Sequence, residues 1–580
     1  MFVGTACAPL SPKAFTAETT QKASGSLSGS RAGRGARCSP REVGSSSDGR
    51  KLPQNSLILQ QLLDLGRTPK ENEVFEIVSA GIASWQENPK RATVVLSSLG
   101  ASQLPRTATY VLFAMLAKSV EVNVFHCNAA ISACEKGSQW QLALSLLSSM
   151  PDMRVSPDKI SFSAAISACE KGGQWQLALG LLSSMPEMKV IPNKITYNAA
   201  ISSCGKGGQW QLALCLLSSM PDMRIVQDEI SYNAAISACE KGGQWELAMS
   251  LLSSMPDVRV IPDNISYNAA ISAFEKGGQW QLALSLLSSM PDMSCIPDIV
   301  SYNAAISACE KGKQWQLALC LLSSMTDTRI ASDKISYNAA ISACEKGGQW
   351  ELALSLMNSM TDSRVIPDKI SYNAAISACE KGGQWQLALT ILSSMPDMSL
   401  VPNVVSYNAA ISACEKGGQW QLAMSLLSSM PDMRVISDEI SYSAAISACE
   451  KEGQWQLALG LLSSMPGMRL IPDEISYSAA ISAFEKGGQW QLALSLLNSM
   501  PDMRAIPNDI SYSAAIIAFE KGGQWQLAIG LLSSMPDMRV IPSEISANAA
   551  ISACEKEGQP AVLVSWPSRL PKTTKTNIAV

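Results

Sequence analysis

From residue 124 to about residue 558, apolar and polar positions follow one pattern that repeats every 35 residues. The unit Lys369 to Asn403 serves as the sample, with Lys369 at position 1 and Asn403 at position 35. Tyr372, Ala375, Ile376 and Cys379 fall on one side of a helix of 3.6 residues per turn, and the small Ala374 and Ala378 beside them allow a neighbour to approach closely. Gly382 and Gly383 interrupt this stripe. A second one follows, with Trp385, Ala388, Leu392 and Met395 facing inward and Gln386, Thr390 and Ser393 outward, until Pro396, whose ring forbids continuation. The spacing predicts two antiparallel helices per unit: helix A, with Ser371 as its N-cap and its end at Gly382, and helix B, from Trp385 to Met395. Trp140 to Trp525 keep the period without insertion. A strict period of this length indicates an all-α solenoid of stacked helix pairs rather than a set of separate cores.

The chain divides on this basis. Residues 1–51 are rich in Ser, Ala, Gly and Arg, with only Glu18, Glu42 and Asp48 acidic, a composition that cannot bury a core. It reads as a transit peptide for a plastid or mitochondrion, or as a plain disordered tail, with a plastid the favoured compartment. Residues 52–123 show helical periodicity in NSLILQQLLDL, ENEVFEIVSAGIASW, RATVVLSSL and TATYVLFAMLAK, punctuated by Pro69, Pro89 and Pro105, and form a divergent helical cap. Residues 124–558 hold twelve full units and a half unit, and 559–580 a tail.

Composition and charge narrow the chemistry. No apolar run approaches the roughly eighteen residues needed to cross a bilayer, so no membrane partner is expected. A net charge of −4 argues against indiscriminate binding to polyanions, and any basic surface must be local. Most of the 16 Cys share position 11, where Phe274, Phe484 and Phe519 substitute for them. Exchange with Phe marks an apolar core site rather than a disulfide, and no CxxC pair supports zinc; no metal or cofactor is expected. One polar set escapes packing: positions 5, 9 and 13, here Asn373, Ser377 and Lys381, stand at i, i+4 and i+8 on helix A, with Ile517 the exception in the middle place. Stacked units turn these columns into a polar ribbon on which a ligand could lie.

The 35-residue unit SYNAAISACEKGGQWQLALTILSSM with its closing VPN resembles the pentatricopeptide repeat. A tetratricopeptide array has a unit one residue shorter, and its Trp and Gly spacing in the first helix is absent here. The resemblance implies a right-handed superhelical α-α solenoid that binds single-stranded RNA, one nucleotide per unit. It implies that position 5 meets the base edge, position 35 supports it, position 2 (Ile, Val or Phe) sandwiches the bases, and the position-13 Lys contacts phosphate. The reading pairs are then Asn128 with Asp158, Ser163 with Asn193, Asn198 with Asp228, Asn233 with Asp263, Asn268 with Asp298, and Asn303 with Asp333. They continue as Asn338 with Asp368, Asn373 with Asn403, Asn408 with Asp438, Ser443 with Asp473, Ser478 with Asn508, and Ser513 with Ser543. The phosphate row comprises Lys136, Lys171, Lys206, Lys241, Lys276, Lys311, Lys346, Lys381, Lys416, Lys451, Lys486 and Lys521.

Family pairing preferences, read from the amino end onto the 5′ side, imply the pyrimidine-rich target U-A-U-U-U-U-U-Y-U-G-A-N. The chemistry is compatible: Asn offers both a donor and an acceptor to an unstacked base, while Ser is shorter and leaves room for a purine. Drift between recently duplicated units is the competing explanation of the Asn/Ser alternation. Two departures from the family bear on geometry. Position 31, often Gly in such repeats, is mostly Arg, as at Arg154, Arg224, Arg259 and Arg434, read as a partner of the Asp two residues earlier; and Pro396 shortens helix B by about a turn. His126, at position 3 of its unit, reads as a turn residue.

No deaminase-like or metallonuclease domain fits after Gln559, and the recurring carboxylates form no dedicated acid/base pair, so no enzyme is expected. The expected function is sequence-specific RNA binding in organellar RNA processing, stabilisation or translation by a monomer, with RNA-processing proteins as further partners. The alternative is a protein–protein scaffold using the same ribbon.

Overall fold

The first five helices, α1 (Gln54–Asp64), α2 (Glu71–Ser79), α3 (Ile82–Glu87), α4 (Lys90–Ala101) and α5 (Pro105–Ala117), lead into the regular array. The structure is a computed structural model that describes residues 54–501, 505–536 and 538–558. The transit-peptide-like segment 1–51 and the tail 559–580 lie outside the described residues, as do Cys7 and Cys38. Among the described residues there are α-helices and short 3-10 turns and no strands, and no helix is long and apolar enough to cross a membrane.

The three prolines of the leading segment act at helix starts: Pro69 precedes α2, Pro89 is the N-cap of α4, and Pro105 occupies the first turn of α5, where a missing N–H costs nothing. The stretch ENEVFEIVSAGIASW is two helices, broken at Ala80 and Gly81, rather than one. The array begins with α6 (Val124–Lys136) and α7 (Trp140–Ser149), helices A and B of the first unit. Helix A of each unit packs on helix A of the next, and helix B packs between its own helix A and the following one. Both α4 and α5 pack on α6, so they stand to it as helices A and B of a divergent unit.

Small side chains make that stacking close. Ala375, Ile376, Ala378 and Cys379 are wholly buried, as are their counterparts in almost every unit. The exchange at position 11 is a packing exchange: Phe274, Phe484 and Phe519 are buried and meet Trp245, Trp455 and Trp490, centroids 6.2–6.4 Å apart. Burial pushes the Cys379 thiol up to about 11, which keeps it a protonated, unreactive side chain at neutral pH. All cysteines among the described residues are free.

On helix B, Ala388, Leu392 and Met395 are buried, and Trp385 is half-buried against the next unit. A Cβ on Gly417 would come within 2.3 Å of Trp385 Cδ1, so this indole sits where the following A–B turn leaves room. The proline stop operates as expected. Helix B ends at Ser394 before Pro396, but where Thr326 and Thr361 replace that proline it runs on to Asp327 and Asp362, 13 residues instead of 10.

Three expectations are corrected. Helix A starts three residues earlier than its Ser suggested: Asp368, at position 35 of the preceding unit, is the N-cap, and Ser371 is the third helical residue, closing a capping box. His126 is likewise inside α6 and fully buried. Its Nε2 donates to the Pro89 carbonyl (2.9 Å) and its Nδ1 accepts from the Asn123 amide (3.2 Å), which selects the neutral Nε2–H tautomer. Burial outweighs the carbonyl contact and lowers its pKa.

The third correction concerns position 31. No Arg there forms an ion pair among the described residues, so Arg154 is not the partner of Asp152. Its part is played by the backbone. Arg154, Arg224, Arg259, Arg434 and Arg469 hold φ of 56 to 62° and donate their N–H to the carbonyl three residues back, closing the turn after helix B. A side chain in the left-handed region costs about 1 kcal/mol or more. Replacing Arg224, Arg259, Arg434 and Arg469 together by Gly is therefore expected to raise the urea midpoint of unfolding, by up to about 1 kcal/mol per site. A lower midpoint would show that the guanidinium groups hold the turn instead.

Candidate nucleic-acid interface

Position 35 is the N-cap of the next helix A, and position 5 lies one turn into its own; stacking brings the two together. In the pair Asn198 and Asp228, the Asn Nδ2 donates to Asp Oδ1 at 3.1 Å. The same Asp oxygen accepts the Ser231 amide at 3.0 Å, the capping bond itself. The Ser231 hydroxyl faces both Asn198 Oδ1 (2.6 Å) and Asp228 Oδ1 (2.9 Å). A closed triad of positions 5, 35 and the following 3 thus spans this joint. It recurs for Asn128 with Asp158, Asn233 with Asp263, Asn268 with Asp298, Asn303 with Asp333, Asn338 with Asp368 and Asn408 with Asp438, at 3.0 to 3.2 Å. Asn373 and Asn403 form a longer version at 3.3 Å.

The Asn side chain is therefore held rather than free. One amide hydrogen and one carbonyl lone pair are engaged, which leaves one of each for a ligand. Asn198 is 8 % exposed, so only an edge of it is presented. Beside this edge the position-2 side chains stand out into solvent: Ile370 is 61 % and Phe125 64 % exposed, and the row continues in every unit.

Where position 5 is Ser, the joint changes. Ser163 donates to the Lys159 carbonyl in its own helix at 2.6 Å, drawing back from Asn193. Ser443 and Ser478 do the same to Glu439 and Glu474; each also meets the next unit through the hydroxyl of Ser476 or Ser511, at 2.7 and 2.8 Å, and reaches Asp473 or Asn508 only at 3.4 Å. Ser513 and Ser543 meet at 3.3 Å. The shorter Ser side chain thus contacts the N-cap residue less closely than Asn does.

The lysine row has partners that its sequence pattern did not reveal. Lys381 Nζ lies 2.7 Å from Glu345, the position-12 carboxylate of the preceding unit, and Lys171, Lys206, Lys276, Lys311, Lys346, Lys416, Lys451, Lys486 and Lys521 pair in the same way at 2.6 to 3.1 Å. Two members differ. Gly205 stands where Lys241 would find its glutamate and Gly100 where Lys136 would, so both are cations without a carboxylate partner among the described residues. The recurring Glu-Lys dipeptide carried the signal, since a 35-residue period places Lys 36 residues after the Glu it meets. Likewise the spacing D/N-x-x-S marks the capping box, with Asp or Asn as the cap and Ser at the third helical position.

The triad depends on ionised Asp. Burial alone would raise the Asp228 carboxyl, but the Ser231 amide and hydroxyl, Asn198 and Lys194 outweigh it and hold the pKa below its ordinary value. Asp158, Asp263, Asp298, Asp333 and Asp368 are lowered in the same manner by their Ser and Asn partners. Among the described residues no cluster of three or more His, Cys, Asp or Glu is placed to hold a metal ion.

Models of the PPR repeat family match residues 227–276 and five further stretches up to residue 451; a pentatricopeptide repeat domain model matches 111–172 and 166–207, and a PPR repeat model four stretches between 195 and 540. The chain belongs to the pentatricopeptide repeat family. Among solved structures, the pentatricopeptide repeat protein PPR10 from maize aligns over 91% of this chain and 90% of its own at 19% identity, with a TM-score of 0.55, a likeness of fold. The structure of PPR10 in complex with an 18-nt psaJ RNA element aligns over 90% and 89% at 18% identity, with a TM-score of 0.47. No curated protein sequence matches.

The triads make acid stability a test of this pentatricopeptide array. A depressed carboxyl contributes stability that is present above the unfolded Asp value of about 4 and is lost as pH falls through the folded value. Urea midpoints are expected to drop on acidification below about pH 4. Changing the six lowered Asp to Asn, which already caps helices at Asn403 and Asn508, should make that drop shallower; an unchanged profile would remove the triads as its source.

Proposed function

We propose that the array binds single-stranded RNA by sequence, one nucleotide per unit, along the ribbon formed by positions 2, 5 and 35. The observation that carries this reading is the half-satisfied Asn at the joints where position 5 is Asn: oriented by its neighbour's cap, it keeps one donor and one acceptor for a base edge, next to an exposed position-2 side chain that can cover the base face. Membership in the pentatricopeptide repeat family supports it, as does the fold shared with maize PPR10, a protein whose structure has been solved with an RNA element. Ser bonded to its own helix at Ser163, Ser443 and Ser478 fits the A, G and A positions, and the Asn/Asp majority fits a uridine-rich target.

On this reading the protein acts by occupancy: it shields a segment from nucleases, holds it unstructured or recruits processing factors. The paired lysines temper affinity. An ammonium already 2.6 to 3.1 Å from a carboxylate offers phosphate a weaker field than a free one, so electrostatic attraction concentrates at Lys136 and Lys241.

Two measurements test the proposal. Titration with the twelve-nucleotide RNA in the order above, its complement and a duplex, at two salt concentrations, is expected to favour the first, and Asn→Ser at position 5 in three units should erode that preference. Equal affinity for all three, or binding only to proteins, would overturn the reading. Second, Lys241→Gln is expected to weaken binding several-fold more than Lys381→Gln and to lower the salt slope by about one, the value for one lost phosphate contact. Equal losses would show that the ion pairs leave the lysines free to act.

A further inference from the structure

Within the array, the glycine that ends helix A rests on the Trp of the unit before: a Cβ on Gly172 would meet Trp140 at 2.3 Å, and one on Gly207 would meet Trp175 at 2.2 Å. The first regular unit has no Trp before it. Gly137 faces instead the ring of Pro105, at 2.6 Å, at the start of α5. A pyrrolidine fills less space than an indole, and an open cleft of about 230 Å³ lies beside it. Arg67, Gln103, Arg106, Lys136 and Gln139 line it together with Pro105.

The charges in this cleft are unbalanced in a way the rest of the row is not. Three lining side chains are cations and none is a carboxylate. Lys136 lacks its glutamate because residue 100 is Gly, and neither Arg67 nor Arg106 forms an ion pair among the described residues. Like charges sharing a cleft repel, and an anion relieves that repulsion. Guanidinium forks suit the oxygens of a phosphate, and the Gln103 and Gln139 amides add neutral donors.

We infer that this cleft holds the terminal phosphate of the RNA strand lying on the array, an assignment that rests on the RNA reading proposed above. Lys136 is the first member of the lysine row, so a backbone following that row runs into the cleft just ahead of the first reading pair, Asn128 and Asp158. A terminal phosphomonoester carries about −1.5 to −2 charge near pH 7 against −1 for an internal linkage, which matches three uncompensated cations better. With the 5′ side of the strand at the amino end, the group bound is a 5′-phosphate.

The test titrates the full chain with the twelve-nucleotide RNA bearing a 5′-hydroxyl, a 5′-phosphate or a 3′-phosphate, with inorganic phosphate as a fourth arm. The 5′-phosphate is expected to bind about tenfold tighter than the 5′-hydroxyl, as charge-assisted hydrogen bonds of this kind allow. Arg106→Gln and Arg67→Gln, both at exposed positions, should each reduce the gain while sequence preference persists, and Arg106→Lys should keep most of it. Equal binding of the 5′-hydroxyl and 5′-phosphate strands, with sequence preference intact, overturns the strand-end assignment and leaves the base reading standing. A gain for the 3′-phosphate overturns the 5′ assignment. Inorganic phosphate bound as tightly as the phosphorylated strand would make the cleft a small-anion site and overturn it too, and no RNA binding at all overturns both readings.

Discussion

No unit of this chain can bury helix A by itself. Tyr372, Ala375, Ile376 and Cys379 are covered only because a copy of the same surface stands on each side, and the small Ala374 and Ala378 let the backbones approach. Everything else follows from that closeness. The N-cap of one unit comes within hydrogen-bond distance of the side chain at position 5 of the unit before, Glu at position 12 meets Lys from the next unit, and Trp at position 17 lies against the following glycine. The repeat recurs with little change because each face must match its own copy, a nearest-neighbour constraint that independent drift in one unit would violate.

The polar joint has a double character. Its capping bond satisfies an otherwise orphaned helix amide, worth about 1 kcal/mol, and recurs whatever the letter at position 5. The Asn amide that completes the triad is oriented by the same carboxylate, so the group offered to a ligand is fixed before the ligand arrives. Preorganisation of this kind reduces the ordering cost of binding. The Glu–Lys ladder behaves differently: its pairs are part-exposed, each contributes at most about 1 kcal/mol to stability, and its larger effect is to neutralise a row that would otherwise attract any polyanion. That agrees with a chain whose net charge is −4.

Period and helical spacing made the helix pairs, their core faces and the proline stop legible, because those properties are local and repeated. What escaped was set by caps and turns or by contacts between units. Ser371 has the chemistry of a cap, but the helix begins at Lys369 because Asp368 takes the amides first. Arg154 and Asp152 are close in sequence, yet the turn places Arg154 in the left-handed region and leaves its charge in solvent. The alternation of Asn and Ser at position 5 was visible in the letters, while the hydroxyl of Ser231 that joins Asn198 to Asp228 required the stacked geometry. Lys136 and Lys241 differed from their copies only through Gly100 and Gly205, residues of other units.

The joints of the solenoid are tied in two ways. Where position 5 is Asn the tie runs through its side-chain amide, whereas at Ser443 and Ser478 it runs through the hydroxyl to Ser476 and Ser511 of the next unit, at 2.7 and 2.8 Å, and Ser163 turns to its own helix. Three of the four Ser joints, at Ser443, Ser478 and Ser513, lie in succession near the carboxyl end, so the hydroxyl ties are gathered there while the middle of the array is tied by amides. A change of letter at position 5 would therefore alter the tie between two units together with the group that the joint presents, so one position sets both the seam and its polar edge.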